Sequence, residues 1–267
     1  THFPTRGVEL PPVSDDKDQI CMKRFASLIA LPLMLSVAAC SGEADKAAEG
    51  APSGEPIAAI PAPAGKNWTE TVTKTDKGYY VMGNPDAPIK LVEYASLTCS
   101  HCAEFAEQAF ATIRDKYVAS GRVSYEFRNF VREPLDLTAS MLTRCGPNES
   151  FFALSEQVLA NQADIFTKAQ AMGQQRFEAA LALPDNQRFV ALAEGTGLID
   201  FFAQRGISRD QALQCLTNVE TAQALAENTQ TATKEDDIQG TPTFYINGRK
   251  VEFTGWPALE TESQAMG

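Results

Sequence analysis

The sequence predicts an α/β domain that carries an inserted block of helices, and three observations predict it. A β-type run, a Cys-containing turn, a helical run and a second β-type run follow one another between Ile89 and Phe130. From about Asp136 to Lys234 the chain turns to Ala, Gln, Leu and Glu, with few β-branched runs. Strand signals then return at Thr243–Ile246 and Lys250–Glu252, on either side of Asn247-Gly248. A β–α–β unit, a helical block and a closing hairpin, in that order, make an α/β core with an α insertion.

Residues 1–21 precede Met22 and are expected to lie outside the mature protein. Met22-Lys23-Arg24 opens a basic segment, and the fifteen residues from Phe25 to Ala39 carry no charge. They run into Val37-Ala38-Ala39-Cys40. A basic start, an apolar stretch and small residues at the cut describe an export signal. At 1.5 Å per residue the apolar stretch spans about 22 Å, short for a membrane helix. Its ending resembles a bacterial lipobox, so residues 22–40 are expected to be a lipoprotein signal with Cys40 as the lipidated residue. An ordinary signal with a chance Cys, or an uncleaved anchor, is the alternative. Ser41 after the Cys favours the outer membrane over the inner one. Residues 41–66 contain eight Ala, four Pro, four Gly and no aromatic. Such a composition buries too little surface to offset its ordering entropy, and a tether is expected there.

The folded domain is expected over 67–267, with the insertion at about 136–234. Trp68–Thr75 alternates weakly and suggests a first strand, and the turn residues from Gly78 to Pro88 suggest a loop. Ile89–Tyr94 is a short strand. Phe105, Ala109, Ile113 and Tyr117 recur at helical spacing, and Gly121 ends that helix. Val123–Phe130 reads as a strand with Val123, Tyr125 and Phe127 on one face. Within the insertion, Ser208-Arg209-Asp210-Gln211 is a capping box. Asn247-Gly248 is a tight hairpin turn, and a short tail follows.

The chain has 267 residues, 44% of them hydrophobic and 21% charged, which is ordinary globular composition. Its net charge of −11 argues against a nucleic-acid partner and against a polybasic membrane patch. The two His, at 2 and 101, exclude a His-rich metal site. The six Cys carry most of the chemistry.

Cys99 and Cys102 fall between a strand and a helix. Three residues apart on a helix, two sulfurs share a face and can bond. Cys99 would sit at the helix start, where free N–H groups and the macrodipole favour a thiolate. Cys102 would lie one turn deeper with a higher pKa. One sulfur attacks and the other resolves, the division that thiol–disulfide exchange needs. His101, as a cation or N–H donor, would stabilise the Cys99 thiolate further and make the disulfide more oxidising. Two other readings weigh against this one. Zinc would need two more ligands, and only the isolated Cys145 and Cys215 remain beside His101. A structural disulfide is the other, but Cys-x-x-Cys between strand and helix in an exported chain favours a redox pair. No metal is expected. Cys145 and Cys215 both flank predicted helices of the insertion, and in an oxidising compartment they are expected to pair or else to remain buried thiols. Phe151-Phe152 and Phe201-Phe202 are read as core, with some available to form an apolar groove beside Cys99.

Three segments together resemble the DsbA-like thiol:disulfide oxidoreductases: Leu91–Cys102 with its Thr98-Cys99-Ser100-His101-Cys102, the upstream Gly83–Pro88, and Gly240–Gly248. The resemblance covers about residues 67–255 and implies a thioredoxin-like fold with an inserted helical domain, in a Gram-negative bacterium. It implies that Cys99 is the nucleophile, that Cys102 resolves, and that Thr241-Pro242 is a cis-proline loop facing the pair and pairing with extended substrate. Glu93 matches a buried acid that relays the Cys102 proton; a surface Glu is the plainer alternative. The resemblance further implies reduced or unfolded exported proteins as substrates, a membrane redox partner that recycles the pair, a periplasmic location and no bound cofactor. Ser100 stands where the family has Pro, which relaxes the turn. Thr before Pro242 also occurs in reductases of this fold, so a reductase or isomerase is the runner-up. A metal- or thiol-binding lipoprotein using Cys99, His101 and Cys102 is the alternative of another class.

Overall fold

The computed structural model describes residues 57–265. The expected leader 1–21, the signal 22–40 with Cys40, and the first part of the expected tether lie outside the described residues. Six strands form one mixed sheet in the order β1–β2–β4–β3–β5–β6. They are β1 (Val72–Lys74), β2 (Tyr80–Gly83), β3 (Ile89–Ala95), β4 (Val123–Asn129), β5 (Thr243–Ile246) and β6 (Arg249–Val251). Only β3 and β4 run parallel, joined by helix α1 (Ser100–Thr112) as the crossover. Every residue of β3 except Lys90 is buried, because both faces of the sheet are covered. Leu91, Glu93 and Ala95 share the face toward α1, and Val92 and Tyr94 pack with Ala232 and Ile238 on the other.

The insertion holds α2 (Pro134–Leu142), α3 (Phe151–Ala160), α4 (Gln162–Met172), α5 (Gln174–Leu181), α6 (Asp185–Gly195), α7 (Leu198–Ala203), α8 (Arg209–Leu216) and α9 (Val219–Glu235). These helices run from Pro134 to Glu235. The capping box forms in full: Ser208 Oγ accepts from Gln211 N, and the Gln211 side chain accepts from Ser208 N. Phe151, Phe152, Phe201 and Phe202 are all buried, so both Phe pairs are core. Cys145, just beyond α2, is bonded to Cys215 on α8, with Cα atoms 5.8 Å apart. The tight turn also forms, with positive φ at both Asn247 and Gly248.

Four local expectations change. The first strand is shorter, because Trp68–Glu70 is a 3₁₀ turn capped by Asn67 Oδ1. The expected loop at Gly78–Pro88 contains strand β2, whose few residues pair with β1 and β4 on either side; turn residues at both ends hid so short a run. The helix begun at Ser100 ends as a π-helical stretch over Ile113–Val118, where the Ala119 N–H reaches back to Arg114 O. The C-terminal tail is a helix, α10 (Trp256–Ala265), with Trp256 packed on Phe105 and Tyr117.

The expected tether 41–66 also ends sooner than its composition suggests. The Ile60 N–H donates to Ser120 O at 2.8 Å, Trp68 Nε1 donates to Ile60 O at 2.8 Å, and Arg122 reaches Ile57 O at 3.1 Å. Ile57 and Ala62 pack against the core. Gly121 makes this approach feasible, since a Cβ there would lie 2.2 Å from Ile60 O.

Candidate active site

Strand β3 delivers the chain to a loop, Ser96–Thr98, and Cys99 is the N-cap of α1 with extended backbone. The Cys99 carbonyl accepts the first helical bond, from Ala103 N at 3.1 Å. Cys102 lies one turn along, fully buried, while Cys99 keeps 3% exposure and is the sulfur nearer solvent. Both are free thiols. Facing them is the peptide Thr241–Pro242, which is cis. The Cys99 thiol donates to the Thr241 carbonyl at 3.2 Å. That leaves Thr241 Oγ1 buried and unpartnered, a hydroxyl available to the sulfur once it ionises.

The two thiols are pushed in opposite directions. Cys99 is lowered to about 4, chiefly by the hydrogen bond from the Cys102 thiol and then, against the cost of burial, by the Thr241 hydroxyl and the backbone N–H groups of Cys102 and His101. Cys102 is raised well above the usual thiol value, first by burial, then by its bond to Cys99, then by the Glu93 charge. Glu93 is 2% exposed, in the middle of β3. Burial pushes its carboxyl up to about 8; the Tyr125 hydroxyl, which donates to Glu93 Oε2, opposes this, and the charge of Cys99 adds to it. Glu93 therefore lies beneath the pair, not on the surface.

His101 is placed differently from its expected role. Its imidazole is 76% exposed and faces Glu104 Oε2 at 3.7 Å. The contact from residue 101 to the Cys99 sulfur is its backbone N–H. The reason is helical direction: a residue in the first turn sends its N–H toward the cap and its side chain outward. The groove beside the pair has a volume of about 360 Å³ and is mixed in character, lined by His101, Glu104 and Gln108 as well as Phe105, Pro242 and Phe253, with no contribution from the Phe pairs. Among the described residues, no group of three or more His, Cys, Asp or Glu is arranged to hold a metal ion. No helix among the described residues is long and apolar enough to cross a membrane.

Tyr125 and Phe253 were not singled out as site residues from the sequence. Tyr125 had a usable signal, since it shares a face with Val123 and Phe127 on the strand paired to β3. Phe253 had none, because only the packing of Phe253 on Phe105 and Phe244 brings it to the groove.

The family model described as thioredoxin matches residues 75–261. The chain belongs to the thioredoxin family. This thioredoxin-family chain is 32% identical to a structure described as a protein-disulfide isomerase from Novosphingobium aromaticivorans, with a TM-score of 0.64 over 69% of this chain and 94% of that one. Its fold, with the helical insertion, is the DsbA-like form: it matches alpha-DsbA1 of Wolbachia pipientis with a TM-score of 0.55 at 24% identity, over 69% of this chain and 87% of that one. A Rickettsia bellii protein named for protein-disulfide oxidoreductase activity is 28% identical over 67% of this chain and 61% of its own length. The chain thus spans about three fifths of the length of the curated relatives it matches.

Proposed function

We propose that this thioredoxin-family protein is a thiol:disulfide oxidoreductase that oxidises Cys pairs in exported proteins through Cys99 and Cys102. The observation that carries the reading is the opposed ionisation of two sulfurs one helical turn apart beneath a cis-proline loop. In the oxidised protein a substrate thiolate attacks Cys99 Sγ. The Cys99–Cys102 bond breaks and Cys102 departs with the electron pair. Glu93, whose carboxyl burial holds well above the usual carboxylate range, would give it a proton. A second substrate thiolate then attacks the substrate sulfur of the mixed disulfide, and Cys99 leaves as a thiolate. Two electrons pass to the pair and the substrate gains a disulfide. Because the Cys99 thiolate is stabilised, the last step runs toward oxidised substrate. The backbone of Thr241 beside the pair suits extended, unfolded substrates, bound strand-fashion.

The export signal and Cys40 support a periplasmic site of action, with a lipid tether in the outer membrane. A membrane redox partner would reoxidise the pair. Fractionation that recovers the protein from the inner membrane would overturn the outer-membrane placement.

The test of function is the redox equilibrium of the Cys99–Cys102 pair against glutathione. An oxidase predicts a potential well above thioredoxin's value of about −270 mV; a value near that figure would overturn the direction proposed. The isomerase name of the Novosphingobium relative favours a second reading, in which the reduced pair reshuffles wrong disulfides. A pair found reduced in cells by thiol alkylation would select it.

A further inference from the structure

The loop that presents Cys99 is held from the insertion side by two buried side chains. Asp136, at the start of α2, has no exposed surface. Its carboxylate accepts from Ser96 Oγ at 2.7 Å, from the Leu97 N–H at 3.0 Å and from the Arg132 N–H at 3.0 Å. Ser140 Oγ lies at 3.4 Å. Gln162, the first residue of α4, is also buried. Its Nε2 donates to two carbonyls of the same loop, Leu97 O at 2.8 Å and Cys99 O at 3.0 Å. Asp136 thus holds the N–H of Leu97 while Gln162 holds its C=O. Without Gln162 the Leu97 carbonyl would be a buried acceptor short of a partner, whereas the Cys99 carbonyl, which also accepts from Ala103 N, would lose one of its two donors.

We propose that Gln162 and Asp136 are positioning residues, two side chains of the helical insertion that hold the backbone from Ser96 to Cys99 in the shape that turns the Cys99 sulfur toward the start of α1. This inference rests on the redox reading of Cys99. Cys99 is an N-cap without a side-chain capping bond of its own. Its backbone direction therefore decides whether the sulfur meets the N–H groups of His101 and Cys102. The extended conformation at Cys99 is imposed at its own carbonyl by Gln162 and two residues earlier by Asp136. Neither side chain is hydrogen-bonded to the sulfur. Their effect passes through the loop, and it makes the insertion part of the redox machinery as well as a cover over the sheet.

The test compares the full chain with Gln162→Met, which keeps the shape and removes the donor, with Gln162→Asn, whose amide is one carbon short, and with Asp136→Asn. Lys168→Ala, on an exposed position of α4, serves as control. The readouts are the pH midpoint of Cys99 alkylation and the glutathione equilibrium constant, alongside thermal unfolding. The expected result is a Cys99 midpoint raised by Gln162→Met and a fall in the equilibrium constant of about tenfold, with Gln162→Asn between and Lys168→Ala unchanged. Asp136→Asn shifts both in the same direction, so the outcome does not depend on one variant folding. Variants that melt earlier but keep the parent's midpoint and equilibrium constant would overturn the proposal and leave the redox reading intact. A parent protein whose Cys99 ionises like a free thiol would instead overturn the redox reading itself.

Discussion

The protein contains two cysteine pairs within its described residues, and they differ in almost every physical respect. Cys145 and Cys215 are 70 positions apart, join the turn after α2 to helix α8 and are bonded. Cys99 and Cys102 are three positions apart, at the start of one helix of the α/β core, and are free. The distant pair closes a long loop, so its bond restrains the unfolded chain by about 4 kcal/mol in the chain-entropy model. The adjacent pair closes almost no loop and gains little from that term. What it has instead is a sulfur whose ionised form is well supplied with donors, beside another whose ionised form is not. A disulfide between helices resists change; a disulfide at a helix start exchanges, because one of its leaving groups is a stable anion.

The sharpest way to break the contrast is to delete one pair at a time. Cys99→Ala should abolish thiol–disulfide turnover in a peptide-thiol assay. The double variant Cys145→Ala/Cys215→Ala should keep turnover within a few-fold while losing about 4 kcal/mol of unfolding free energy in denaturant titrations. Lost turnover in the double variant, with the fold intact, would mean that the long-range pair takes part in the chemistry.

Alkylation sharpens the same contrast. In the reduced protein, iodoacetamide should modify Cys99 with a midpoint near pH 4, whereas Cys102 should resist. At pH 6 a free thiol is ionised to less than about 1%, whereas Cys99 is almost wholly thiolate. The weaker intrinsic nucleophilicity of so acidic a thiol offsets about two decades of that gain, so the Cys99 rate should stay flat from about pH 6 to pH 8 while that of free cysteine rises on the order of a hundredfold.

Stability against pH separates the redox states of the adjacent pair. The Glu93 carboxyl is raised from 4.5 to about 8 by folding, so between those values the unfolded chain has lost a proton that the folded one keeps. Stability must fall with rising pH across that window, by up to about 1.4 kcal/mol per unit, and level off above it. Cys99 works the other way in the reduced protein: it is depressed from 9.0 to about 4, so its contribution grows with pH over that range. The two slopes oppose each other between about 4.5 and 8 in the reduced form. In the oxidised form Cys99 does not titrate and only the falling slope remains, with its upper end moved down because the Cys99 charge is gone. Denaturant titrations of both forms at pH 5 and pH 8 read this directly. Glu93→Gln should flatten the oxidised profile above about pH 6, leaving below it the smaller fall contributed by Asp136, which burial raises to about 6; an unchanged slope above about pH 6 would place the titrating group elsewhere.

The smallest effects concern the donors around Cys99. Thr241→Val removes a hydroxyl and should raise the Cys99 alkylation midpoint by about one unit, the size of a single hydrogen bond to a charged group. His101→Ala keeps the backbone N–H and removes only an exposed imidazole, so its shift should be smaller than that of Thr241→Val. A larger shift from His101→Ala would return the imidazole to the centre of the mechanism.

Much of this molecule was legible from short-range patterns. The Cys-x-x-Cys spacing, the capping box at Ser208 and the Asn247-Gly248 turn are each decided within a few residues, so the sequence alone determined them. The helical insertion was legible for the same reason, since composition over many residues reports helix even when individual helices cannot be counted. The cis bond at Thr241–Pro242 and the buried place of Glu93 were legible only through the likeness to a family, because nothing local to either residue demands them. What the tertiary structure alone decided is long-range. The strand Tyr80–Gly83 exists because two neighbours pair with it. The burial of Glu93 depends on α1 crossing the sheet above it. The hydrogen bond from Gln162 to the Cys99 carbonyl spans 63 positions of chain. A hydrogen bond or a change in dielectric acts over a few ångströms of space, and separation along the chain does not report that distance.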